Sequence, residues 1–158
     1  MEKAVATYTL LEKITDCIVA AGLVLFWILV YVFNRENVAQ VPTHFNIQGE
    51  ADAFGAPVHL YLLVALNTLL IAGIYVLKVK KVPLNFGYEI AESNKPAVRV
   101  VMNQTLSLFA LSLLVIFGII LMETVMYTEG NRAYSFILVF FAIKIPIVFY
   151  LAKTQDVS

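Results

Sequence analysis

Four long apolar runs organise the chain, and polar residues bound each of them. The first reads Ile14 to Phe33 and the second Val58 to Leu77. The third, Leu106 to Met122, holds no charge and continues to Met126; the fourth reads Tyr134 to Ala152. A helix needs about 20 apolar residues to cross a bilayer core. The runs therefore predict spans at about 14–33, 58–77, 104–126 and 134–152 of a single membrane domain, 1–158. The first run is too long for the apolar core of a signal peptide and no small-residue cleavage site follows it, so it is expected to be retained.

Backbone groups in lipid have to be satisfied within the protein, so the expected fold is all-α, an antiparallel four-helix bundle. Ala20, Ala21, Gly22, Ala72, Gly73 and Gly118 can let its helices approach closely. Orientation follows from the distribution of Lys and Arg. The loop 78–103 carries Lys78, Lys80, Lys81, Lys95 and Arg99, whereas the loop 34–57 has only Arg35 and the last loop only Arg132. The basic loop is expected in the cytoplasm with both termini, where Lys3, Lys13 and Lys153 also fall. Loop 34–57 then faces outward as a structured extracytoplasmic segment. Tyrosine placement agrees, because amphipathic rings favour the interface. Tyr31, Tyr61, Tyr127 and Tyr134 lie near the outer ends, and Tyr8, Tyr75, Tyr88 and Tyr150 near the inner ends.

The connecting segments carry their own signals. Pro83 and Gly87 predict irregular backbone, and Gly130 with Asn131 predicts a tight turn before the last span. The stretch from Ser93 reads as helix, with Ser93 or Asn94 as its cap and Pro96 in its first turn. The third helix would then reach Met126 over about 48 Å, leaving its first turns outside the membrane.

Composition narrows the function classes. The chain is 61% hydrophobic and 14% charged, against about 45–50% apolar and 25% charged in soluble proteins. Its formal charge is zero, so no basic field invites nucleic acid, and its one cysteine, Cys17, has no internal disulfide partner. No nucleophile elbow, phosphate loop or zinc-protease motif is present. The expectation is a non-enzymatic protein without a cofactor, whose partners are membrane lipids and another membrane or envelope protein, or a second copy.

Polar residues inside the spans are the first functional candidates. Lys144 falls at mid-depth in the fourth run, two residues before Pro146. A lysine there costs about 2.5–3.5 kcal/mol on insertion scales and calls for a partner or a wet cavity. Asn67 is level with it on the second span, with Asp16 nearer the cytoplasm and Glu123 on the outer side. Three readings stay open: Lys144 snorkelling to the interface or held by Asn67 and carbonyls, a polar path Asp16–Asn67–Lys144–Glu123 that passes ions or small solutes, or a bond from Lys144 to an acid on a partner or lipid.

The outer loop supplies the second set of candidates. His44, Glu50, Asp52 and His59 are metal-competent side chains, although their spacing matches no standard site. The alternative is a folded turn: an extended Val41–Asn46, a return through Gly49, Asp52 or its neighbours satisfying amides at the start of the next helix, and Phe45 and Phe54 covering the bundle. The segment "VPTHFNIQGEADAFG" resembles the signature of a bacterial membrane-protein family built on a domain of unknown function, family 1648, also found at the front of SdpI-type toxin-immunity proteins. Pro42, His44, Phe45, Asn46, Gly49, Asp52, Phe54 and Gly55 match it, while Ala51 and Ala53 depart from its proline and glycine. The cytoplasmic "NFGYEIAESN" resembles a second family segment, with Gly87 where proline is usual. The resemblance implies a sensor or immunity-type role in the bacterial inner membrane, with the outer loop meeting a peptide, toxin or envelope partner. A small accessory subunit of a larger membrane complex is the rival reading.

Overall fold

A computed structural model describes residues 8–36, 38–46, 48–80, 91–127 and 133–155. The expected irregular stretch at Pro83 and Gly87, the turn at Gly130 and Asn131, and the positions of Lys3, Lys81, Tyr88 and Arg132 lie outside the described residues.

The first helix, α1, runs Leu10–Phe33 and begins with a reciprocal cap. Thr9 Oγ1 accepts the Glu12 amide at 3.3 Å, and Glu12 Oε2 accepts both the Thr9 amide and its hydroxyl at 2.9 Å. Amides at the helix start are thereby satisfied in both directions. The cap starts α1 one turn ahead of the apolar run, which brings Glu12 into the helix and buries it.

The loop 34–57 contains a β-hairpin, β1 Val41–Phe45 and β2 Ala51–Gly55, paired antiparallel. An all-helical description therefore needs this correction: a two-stranded sheet stands between the first two helices. Val41 faces Gly55 and Phe45 faces Ala51, with irregularities on either side of His44. Next comes α2, His59–Lys80. Helix α3, Lys95–Val125, has Pro96 in its first turn, but Asn94 makes no capping bond with its side chain. Its 31 residues reach about 46 Å, so its start stands well before residue 104. The last helix, α4, is Ala133–Gln155 with Pro146 inside it.

Side-chain contacts fix the relative directions. Tyr75 and Lys78 late in α2 meet Asp16 early in α1, so those helices are antiparallel. Gly22 faces Leu114 and Gly118 faces Phe26, so α1 and α3 run the same way. Ser135 at the start of α4 bonds Glu123 near the end of α3, reversing the chain again. Helix α3 is the hub on which α1, α2 and α4 each pack. Among the described residues helix α4 packs mainly on α3. The buried positions described on α4, Ala142, Pro146 and Thr154, recur at multiples of four and make one narrow stripe. One such stripe serves one neighbour.

Two of the small residues work as expected. A Cβ on Gly22 would overlap the Leu114 side chain, and one on Gly118 would come 2.9 Å from Phe26 Cζ. Gly73 faces open space instead. One apolar cluster joins Val30, Val41, Leu60, Val64 and Leu121 at the hairpin end; a second joins Val19, Ile71, Ala110 and Leu114 further along. Val41 belongs to the first, so the hairpin is rooted in the helical core.

All four helices are long and apolar enough to cross a membrane. Only 11% of the apolar stretch of α1 and 33% of that of α3 is buried within the protein. The remaining apolar surface faces outward, where water would be a poor solvent for it. The chain is a multi-pass membrane protein.

Candidate functional site

Asn46 builds the tip of the hairpin. Its side-chain oxygen accepts the amides of Gln48 at 3.0 Å and Glu50 at 2.9 Å, and its amide nitrogen donates to Glu50 Oε2 at 3.1 Å. Its backbone amide bonds the Glu50 carbonyl, and the Gly49 amide bonds the Asn46 carbonyl. Gly49 has φ of 79°, a conformation that costs glycine nothing and a branched residue a great deal. The turn is thus dictated locally by an Asx-type oxygen and a glycine.

Both strands contribute to an exposed polar pair and to an aromatic contact with the end of α3. His44 Nδ1 and Asp52 Oδ1 are 2.5 Å apart across the strands, with the imidazole 67% and the carboxylate 46% exposed. Asp52 therefore does not cap α2; the amides of His59, Leu60 and Tyr61 bond the carbonyls of Ala56, Pro57 and Val58. Phe45 and Phe54 both pack on Tyr127 just past α3, with ring centroids 6.3 and 5.7 Å away. Gly55 is required by a close approach, since a Cβ there would lie 2.7 Å from His59 Nδ1. Beneath the hairpin a groove of about 480 Å³ opens against α2 and α3, lined by Pro42, Phe45, Phe54, Leu63, Leu66 and Ile120 among others.

The metal-competent residues do not converge. His44 pairs with Asp52, Glu50 is tied to Asn46, and His59 lies against Gly55. Among the described residues no group of three or more His, Cys, Asp or Glu can hold a metal ion.

At the opposite end, Lys78 of α2 closes a buried polar cluster. Its ammonium donates to Asp16 Oδ2 at 2.7 Å and Ser107 Oγ at 2.6 Å, and it lies 3.4 Å from Glu12 Oε1. Tyr75 donates to the other Asp16 oxygen at 2.8 Å, and Tyr8 also donates to Asp16. The ammonium also lies 5.1 Å from the Tyr8 ring centroid and 5.6 Å from that of Tyr75, close enough for cation–π attraction. Glu12 is 1% exposed and the Lys78 side chain 9%. The bond to Asp16, together with burial and the Asp16 and Glu12 charges, pushes the Tyr8 phenol up to about 12, so it remains a donor.

Residues 18–68 match the family model described as Domain of unknown function (DUF1648). This segment is similar to the DUF1648 family. No curated protein and no solved structure matches the chain. The DUF1648 segment takes in most of α1, the whole hairpin and the first half of α2. It begins after Asp16 and ends before Tyr75 and Lys78, so the buried cluster lies outside it.

The intramembrane candidates are dispersed. Asp16 belongs to the Lys78 cluster, and Glu123 accepts from Ser135 at 2.6 Å. Asn67 is fully buried on the α2 stripe of Leu60, Val64 and Ile71, and neither amide atom has a hydrogen-bond partner among the described residues. Lys144 is exposed on the outer face of α4, its ammonium 5.1 Å from the Phe140 ring centroid. The lysine does not point into the helix assembly, so the expected pairing with Asn67 and the path Asp16–Asn67–Lys144–Glu123 are not formed. Rotation of α4 is the cause: Ala142 and Pro146 take the buried stripe, which turns Lys144 outward.

Glu12, Tyr75, Lys78 and Ser107 escaped the sequence reading as a site. A signal was present, because Glu12 and Asp16 share a helix face at i and i+4, and Tyr75 and Lys78 at i and i+3. What the spacing did not show is that the two faces meet.

Proposed function

We propose that this chain is a non-enzymatic protein of the bacterial cytoplasmic membrane with a sensor or immunity-type role, its hairpin meeting a peptide or envelope partner outside. The groove under the hairpin carries the reading. Its apolar walls, with Phe54 49% exposed, carry the polar side chains of Thr43, His59 and Thr124, and the exposed His44–Asp52 pair lies on the same hairpin. Apolar depth with a polar rim is the usual make-up of a contact surface. The excess of lysine in loop 78–103 supports an outward-facing hairpin.

The test compares strains with and without the gene under a panel of envelope-active peptides. Deletion is expected to sensitise cells to at least one peptide. The His44→Ala/Asp52→Ala pair, which leaves the Asn46 turn and the aromatic root intact, is expected to reproduce that sensitivity. Unchanged survival of the deletion strain across the panel would refute an immunity role.

One observation favours the accessory-subunit reading as well. Lys144 presents an ammonium on a lipid-facing helix, where an acid on a neighbouring transmembrane protein would offset its insertion cost. If so, native purification recovers a larger membrane partner in fixed stoichiometry, and Lys144→Leu abolishes that recovery while the chain stays folded. Equal recovery with Lys144→Leu would remove the lysine from the interface.

A further inference from the structure

A cavity of about 640 Å³ lies between α1 and α2 and runs from the Lys78 cluster toward Thr68. Its two ends differ in chemistry. One holds Tyr8, Glu12, Asp16, Tyr75, Lys78 and Asn103; the other is walled by Val19, Leu23, Ile71 and their small neighbours Ala20 and Ala72. Among the described residues lining it, two carry carboxylates and one an ammonium, so that lining has one net negative charge. Two buried oxygens there, Glu12 Oε1 and Asn103 Oδ1, accept no hydrogen bond from any described residue. Glu12 is 1% exposed and reaches Lys78 only across 3.4 Å. A buried acceptor left without a donor is costly, and a charged one more so. Asp16, by contrast, is saturated by Lys78, Tyr75 and Tyr8.

We propose that this cavity binds a primary amine carrying a hydrocarbon tail, with its ammonium on Glu12 Oε1 and Asn103 Oδ1 and its tail along Val19, Leu23 and Ile71. An ammonium brings the missing positive charge and three donors at once. The tyrosine rings that flank Lys78 show that this end already accommodates such a group. A hydrated metal ion is a poorer match, because most of the wall is apolar. From Glu12 to Leu23 the helix rises about 16 Å, the length of a medium-chain tail. Free amphiphilic amines and the ethanolamine headgroup of a phospholipid share this chemistry.

The full chain in phosphatidylcholine nanodiscs provides the test, with decylamine as probe, decanol as its uncharged counterpart and propylamine as its tailless one. The single tryptophan, Trp27, donates to Thr68 Oγ1 at 3.2 Å beside the apolar end and serves as reporter. Decylamine is expected to raise the unfolding midpoint and shift Trp27 emission saturably, with decanol and propylamine far weaker. Asn103→Leu is expected to weaken decylamine about tenfold or more, as for loss of one acceptor to an ammonium. Ala20→Phe, at an exposed position on the apolar wall, should block the tail and give the same loss without touching the polar end. Competition by added phosphatidylethanolamine would assign the ligand to lipid, and its absence to a free amine. Equal responses to decanol and decylamine, or unchanged affinity in both variants, would overturn the proposal.

Discussion

Lys78→Met is expected to destabilise the protein by about 3–5 kcal/mol, the usual consequence of removing one partner from a buried ionic cluster. Among the described residues lining the cavity, Lys78 is the one cation beside Glu12 and Asp16. Methionine matches the lysine stem in length, so packing is nearly conserved and the loss isolates the charge. Glu12, 1% exposed, would be left with a carboxylate oxygen facing another carboxylate and no ammonium between them. Thermal unfolding in detergent, followed by Trp27 fluorescence, measures the loss. Adding Asp16→Asn to Lys78→Met should recover a large part of it, because the site then carries one buried charge instead of two. A loss below about 1 kcal/mol would mean that water solvates the cluster as it does a surface pair.

The second large effect has the opposite sign. Asn67→Leu is expected to stabilise the protein by about 1–3 kcal/mol, the penalty a buried amide carries when it lacks partners. Asn67 is fully buried between Val64 and Ile71, and its amide finds no hydrogen-bond partner among the described residues. Leucine is close to it in volume and continues the apolar stripe. The same unfolding measurement serves, and a destabilisation would show that Asn67 is bonded in the membrane to something that leucine cannot replace. Because the polar path through Lys144 is not formed, Asn67 has no role there to set against its cost.

Much of the hairpin was legible because its determinants are local. Asn46 supplies the turn oxygen, Gly49 the positive φ and Pro42 an extended entry, all within a few residues of one another. The aromatic cover of Phe45 and Phe54 was legible as well, although its partner Tyr127 lies far along the chain. Asp52 was misread for a physical reason. An acid just ahead of a helix is a capping candidate by sequence, but in a strand it points across to whatever its partner strand presents, here His44. The inner cluster was illegible as a site because Lys78 and Asp16 are 62 residues apart. In loop-charge counting Lys78 was one more positive residue marking orientation.

By itself the sequence determined the four spans, because crossing hydrocarbon is a one-dimensional requirement of length and polarity. The turn at Asn46 and Gly49 is likewise settled within a handful of residues, as is the cap at Thr9 and Glu12, which the apolar run alone did not reveal. Only the tertiary structure decided which face of each span turns inward. Helices that are apolar all round carry little directional pattern, so rotation is set by packing against α3. That rotation joins Lys78 to Glu12 and Asp16, opens the cavity between α1 and α2, and turns Lys144 away from the helices it was expected to meet.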